Sequence, residues 1–189
     1  NGSALNPDNF MTFGPIDLTS ASGTVVLQWN CGSMQAGWYE EEYSVYIGTA
    51  SASAGLIPTG AIHNEILSAP EIMFNRSVDI SAHVGSVVYI GFRHHNTYDM
   101  NMIGVDDIVV KSLAPADIEL TSISTPTVAT TGSMASITGV VTNTGGNPIT
   151  AFDLTWDDGS GPQTENITAS IASGATYNFT HSTQLSVAS

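Results

Sequence analysis

The chain has 189 residues, with 17 Asp and Glu against 3 Lys and Arg, a formal net charge of −14 at pH 7. That balance excludes a nucleic-acid partner, whose phosphates need clustered basic side chains, and counts against anionic membrane surfaces. At 42% hydrophobic and 11% charged residues the sequence builds a core, and no apolar run is long enough to insert into a membrane as a helix.

Division near 111–116 leaves eleven acids and three bases before the split, net −8, and six acids with no base after it, net −6. An acidic chain of this kind attracts cations such as calcium. Its surface must be covered largely by Ser, Thr, Asn and Gly, a habit of exported β-proteins, so a secreted or cell-surface location is expected. The chain opens at Asn1 in mid-domain style, which reads as a processed fragment of something longer. The single cysteine, Cys31, excludes an internal disulfide and reads as a small buried hydrophobe.

In chain order, strands are predicted near Met11–Phe13, Gly23–Cys31, Glu42–Thr49, Phe74–Asp79, Val87–His94 and Met102–Lys111. Val25, Leu27 and Trp29 alternate with Val26, Gln28 and Asn30, and Tyr43, Val45 and Ile47 follow the same period of two. Only Ile62–Leu67 has any helical character, and Pro58 and Pro70 confine it to a turn or two. Residues 112–116, SLAPA, read as a linker between a first domain over 1–112 and a second over 116–189. Strands of the second are predicted at Ile118–Ile123, Met134–Thr142, Ala151–Trp156, Gln163–Ile167 and Thr176–Thr180. NTGGNP at 143–148 and DDGSG at 157–161 are its turns. The fold class is therefore all-β: a jelly-roll β-sandwich followed by a second, Ig-like β-sandwich.

The segment VVYIGFRHHNTYDMNMIGVDDIVV at 87–110 carries the strongest chemical signal. Paired carboxylates in a strand, Asp106 and Asp107, require a cation, donors or a solvent-exposed edge. They belong to an acidic set with Asp8, Glu40, Glu41, Glu42 and Asp99, which a jelly roll joining its first and last strands could bring together for calcium. The alternative is a set of solvated charges helped by Arg93, which is expected to balance a buried carboxylate. His94 and His95 point to opposite faces of a strand and cannot chelate one ion without a break in it. Neither GxSxG nor HExxH occurs, so no catalytic residue is assigned. Trp29 reads as core. Trp38 and Tyr39, in a loop, and Asn96 and Asp99, in another, are the candidate ligand-binding residues. Sequons occur at Asn1, Asn75, Asn166 and Asn178.

NPDNFMTFGPIDL at 6–18, EEYSVYIGTA at 41–50 and the 87–110 segment follow one another as in the cleaved-adhesin, or choice-of-anchor J, domains of bacterial surface proteins, including the haemagglutinin/adhesin regions of gingipains. The first part resembles that family. The resemblance implies a jelly roll in a non-catalytic part of an adhesin or exported peptidase, calcium supporting its loops, and Asp8, Glu41 and Asp106 or Asp107 as ligand candidates. It also implies a chain whose family start precedes residue 1. VVTNTGGNPI at 140–149 and IASGATYNF at 171–179 resemble CARDB-like and fibronectin-like Ig modules, which often follow in the same secreted proteins. Such proteins commonly end in a secretion-sorting domain. The function expected is adhesion to a host or matrix protein or a glycan, with neighbouring domains of the same polypeptide as further partners. The alternatives are accessory domains of a peptidase or glycoside hydrolase, and a structural spacer or filament subunit.

Overall fold

The computed structural model describes residues 4–125 and 130–187. The chain divides into two compact units, Asn1–Ser112 and Leu113–Ser189. The first contains strands β1 (Asn9–Asp17), β2 (Val25–Gly32), β3 (Glu42–Gly48), β4 (Ala61–Ile66), β5 (Phe74–Asp79), β6 (Val87–His94) and β7 (Gly104–Ser112). They form two antiparallel sheets, in the orders β1–β6–β3–β4 and β5–β2–β7. Every connection except β3–β4 passes from one sheet to the other, the winding expected of a jelly roll.

Residues 62–67, expected to make a helical turn, instead lie in and just beyond β4, with Glu42 opposite Ile66 and Tyr43 opposite Glu65. Ladder bonds to β3 satisfy their backbone and override the local pattern, while the helical turn sits earlier, at α1 (Ser53–Leu56). The alternation along β2, β3 and β6 turns Leu27, Trp29 and Cys31 toward Tyr43, Val45 and Ile47 and toward Val88, Ile90 and Phe92, all buried in one cluster. Trp29 is the wedge of this core: its ring meets Phe92 edge-on at 5.8 Å and His63 at 5.2 Å.

Strand β7 is an edge, and its register against β2 slips between Gln28 and Asn30. Asp107 takes φ 50° at this bulge, and both Asp106 and Asp107 are exposed. The bulge lets a carboxylate pair sit in a strand without entering the core.

The second unit holds β8 (Ile118–Ser124), β9 (Met134–Ala135), β10 (Thr138–Asn143), β11 (Ile149–Trp156), β12 (Gln163–Ile171), β13 (Thr176–Thr180) and β14 (Leu185–Ser186). Its sheets are β13–β10–β8, β11–β12 and β14–β9. The strand expected over 134–142 is split because its first residues pair with β14 and its last with β8 and β13. Ile137, Val141, Ile171 and Phe179 make the core. Gly139 is required there, since a Cβ would collide with the Phe179 ring and the Ser122 carbonyl. The 157–161 turn closes through its own Asp157, whose Oδ1 accepts from Gly159 N at 2.7 Å and Gly161 N at 3.1 Å. Asn75, Asn166 and Asn178 lie on exposed strand positions, and Asn1 lies outside the described residues.

Two substitutions test these cores. Trp29→Ala should destabilise the first unit by about 3–5 kcal/mol, the range for truncating a large buried aromatic. Asn143 is fully buried, donates to Asn147 O at 2.8 Å and Ile171 O at 2.9 Å, and accepts from Gly145 N at 2.9 Å. Asn143→Ala should cost about 2–3 kcal/mol by stranding those backbone groups. Denaturant unfolding followed by near-UV circular dichroism and tryptophan fluorescence measures both.

Candidate functional site

The registers place several loops at one end of the first sandwich. Asn9 opposes His94, Tyr43 opposes His94, Glu42 opposes Ile66, Cys31 opposes Phe74 and Gly32 opposes Gly104. The segment before β1 and the β2–β3, β4–β5 and β6–β7 loops therefore emerge together. They are tied to one another. Glu42 N donates to Thr97 Oγ1 at 2.8 Å, His95 N to Glu42 O at 3.1 Å, Glu71 N to Ser33 O at 2.7 Å and Asp99 N to Leu5 O at 2.9 Å. Asn101 Nδ2 bonds Gln35 Oε1. Asn96 and Asp99 hold the β6–β7 loop in shape with φ of 55° and 57°, a left-handed conformation that Asn and Asp adopt most readily after glycine.

On this hydrogen-bonded frame stand large apolar side chains. Leu5 is 68% exposed, Met34 61%, Trp38 48% and Tyr98 70%. Of the expected ligand-binding residues, Trp38, Asn96 and Asp99 are exposed here and Tyr39 is half-buried. Tyr98 lies within the expected 96–99 loop and is the most exposed of these side chains.

The expected metal ligands share this end of the sandwich but not one coordination sphere. Asp8 is engaged by Arg93, whose Nε donates to Oδ1 at 2.7 Å and Nη2 to Oδ2 at 2.9 Å. Those donors hold the Asp8 carboxyl below its ordinary range and raise Arg93. Arg93 was expected to balance a buried carboxylate; its partner is an exposed one. Glu41 is wholly buried, with Oε2 2.6 Å from His94 Nε2 and Oε1 without a partner among the described residues. Asp106 Oδ1 accepts from Asp107 N at 2.8 Å, and Asp107 Oδ2 from Asn30 Nδ2 at 2.8 Å. Among the described residues no group of three or more His, Cys, Asp or Glu is gathered as a metal would require. Asp8, Glu41, Asp106 and Asp107 thus do not fit a single calcium ligand set. His94 faces Glu41 while His95 bonds Ser44 Oγ at 2.8 Å.

A polar network runs through the sandwich beside this end. Trp29 Nε1 donates to Tyr43 OH at 3.1 Å, and Tyr43 OH donates to Glu65 Oε1 at 2.8 Å. Arg76 Nε donates to both Glu65 oxygens, at 3.0 and 2.8 Å, joining β5 of one sheet to β4 of the other. Cys31 Sγ lies 3.1 Å from Tyr43 OH, and burial, with the Glu65 charge, pushes its thiol up. A thiol so placed is no nucleophile. Burial also pushes the Tyr43 hydroxyl up and His63 down. For Glu65 burial acts upward, but the Tyr43, Arg76 and Cys31 donors and the Arg76 charge outweigh it and hold the carboxyl below its ordinary range.

A cleft of about 410 Å³ opens between the edge strands β1 and β7, beneath residues 100–103. Its apolar lining includes Phe10, Met11, Phe92, Met100, Met102 and Val105, and Arg93, His94 and Asn101 add polar groups. The volume lies within the range of small-molecule and side-chain pockets.

The first unit is thus a two-sheet antiparallel β-sandwich that gathers the exposed Trp38 and Tyr98 on loops at one end. Residues 1–110 match the Cleaved Adhesin Domain family, and the chain belongs to that family. Hemagglutinin A of Porphyromonas gingivalis is 26% identical over 121 residues, covering 56% of this chain. Hemagglutinin A of strain ATCC BAA-308 / W83 of the same species is likewise 26% identical over 121 residues and 56% of this chain. The chain spans only 4% and 5% of the length of these relatives. Among solved structures, the K3 cleaved adhesin domain of Lys-gingipain from P. gingivalis W83 is 23% identical with a TM-score of 0.49, covering 57% of this chain and 66% of that one.

Because the folded Glu65 is more acidic than its ordinary value of 4.5, it adds stability at neutral pH. That stability persists above about pH 4.5 and is lost as the pH falls through the lower folded value. Glu65→Gln should lower neutral-pH stability by about 2 kcal/mol, leaving Arg76 with half its partner, and should flatten the acid limb of a melting-temperature profile.

Proposed function

We propose that this chain is a non-catalytic adhesion module of a larger secreted or cell-surface protein, and that it docks through the loop end of its first unit. The observation that carries this reading is the exposure of Trp38, Tyr98, Met34 and Leu5 together on loops braced by backbone and side-chain hydrogen bonds. Exposed aromatic and apolar side chains on a preorganised frame lose little ordering entropy when a partner covers them. The partner is a host or matrix protein or a glycan, surfaces against which indole and phenol rings can stack. The second unit, with six carboxylates and no base, is read as an Ig-like spacer.

The relatives named Hemagglutinin A suggest the assay. Binding of the purified chain to erythrocytes, immobilised matrix proteins and glycan arrays is measured for the native sequence and for Trp38→Ala/Tyr98→Ala. Removal of two central aromatic contacts should weaken binding at least about tenfold with the melting temperature unchanged, since both rings are exposed. Equal binding by the variant would remove the loop end from the account. Native sequence that binds nothing on any of the three surfaces would remove adhesion itself.

A further inference from the structure

We infer that the loop end of the first unit is a methionine-oxidation site: peroxide converts Met11, Met34, Met73 and Met102 to sulfoxides, and the chain then releases its partner. The inference rests on the adhesion reading and adds a chemical switch to it.

Methionine ordinarily fills gaps in a core. Here neither core cluster contains one. Five of the six methionines gather instead about the loop end. Met34 follows β2, Met73 immediately precedes β5, and Met100 and Met102 lie between β6 and β7. Met11 stands in β1 opposite Phe92, two residues from the Asn9–His94 pair where that strand begins. Met11, Met100 and Met102 line one cleft, and a Cβ on Gly32, the last residue of β2, would lie 2.9 Å from Met73 Sδ. Met11, Met34, Met73 and Met102 are between 42% and 61% exposed, whereas Met100 is half-buried. Their thioethers thus stand open to solvent among the loops that carry Leu5, Trp38 and Tyr98.

Peroxides act on such sulfurs. A sulfur lone pair attacks one oxygen of hydrogen peroxide, and an S–O bond forms as the O–O bond breaks. The departing hydroxide takes up the proton of the transferred oxygen, so thioether and peroxide become sulfoxide and water. The one thiol does not compete. Cys31 is fully buried, and burial keeps it from the reactive thiolate form. The product changes the docking face, because a sulfoxide oxygen is a polar acceptor where the thioether was apolar. A partner that covers it must strip its water without returning a hydrogen bond. Methionine sulfoxide reductases restore the thioether, which makes the change reversible.

Met134, exposed in the second unit, is a control that the chain itself provides. The chain is treated with hydrogen peroxide at neutral pH and each methionine is followed by peptide mass spectrometry. Binding to erythrocytes, immobilised matrix proteins and glycan arrays is measured alongside. Met11, Met34, Met73, Met102 and Met134 should oxidise before Met100. Binding should weaken at least about tenfold with the melting temperature unchanged, the scale on which loss of central contacts weakens an interface. It should return after treatment with methionine sulfoxide reductases, a step that needs no variant. Met11→Leu/Met34→Leu/Met73→Leu/Met102→Leu, which conserves side-chain volume, should bind as the native chain does and lose the sensitivity to peroxide. Met134→Leu should keep it. Undiminished binding by the oxidised native chain, a loss of binding that follows unfolding or resists the reductases, or a quadruple variant that peroxide still releases would each overturn the inference and leave adhesion standing. If the untreated chain binds none of the three surfaces, adhesion falls and this inference falls with it.

Discussion

Trp29 is fully buried between the two sheets, and its indole N–H has to find an acceptor inside the sandwich. Tyr43 supplies the acceptor, and its own hydroxyl proton then needs a place, which Glu65 provides. A carboxylate at that depth needs a cation, and Arg76 reaches it from the opposite sheet. The chain of obligations that starts with one indole thus ends in an ion pair between β4 and β5. The sheets are pinned along that flank by charge and packed between by Trp29, Tyr43 and Phe92. Among the described residues the opposite flank, between β1 and β7, carries no ion pair across the sheets, and the cleft lies there.

This arrangement explains how so acidic a chain stays compact. Of its three bases, Arg76 and Arg93 are each committed to a carboxylate, one across the sheets and one at the start of β1. Most remaining acids lie on exposed positions or serve their own backbone, as Asp157 and Asp158 do in the β11–β12 turn. Glu41 is the exception. It is buried against His94, a residue of the cleft lining.

The strands of both units were legible because the alternation of Val25, Leu27 and Trp29, or of Tyr43, Val45 and Ile47, is a local property. Residues 62–67 misled because their pairing with β3 lies outside any local window. The fate of the carboxylates was illegible for a related reason. Asp8 and Arg93 are 85 residues apart, and Glu41 and His94 are 53 apart. Sequence showed a collection of acids near the strand ends and could not divide them among partners. The exposure of Trp38, Asn96 and Asp99 was legible in the polar composition of their loops, and Tyr98 lies within the same expected 96–99 loop. The Glu65–Arg76–Tyr43 network carried no motif at all, since each member sits alone in a different strand.

The absence of any Lys or Arg from residue 112 onward, and the pairing of both arginines before it, leave the molecule wrapped in uncompensated negative potential. A surface rich in sialic acid or sulfate would meet that potential long before it met an indole. In plasma-strength salt the field decays over about 8 Å, within the reach of a projecting loop, while in dilute media it extends several times farther. Attachment of the kind proposed, through ring faces at loop tips, would be suited to saline fluids, where the charge keeps copies apart in suspension yet no longer holds a wall at bay.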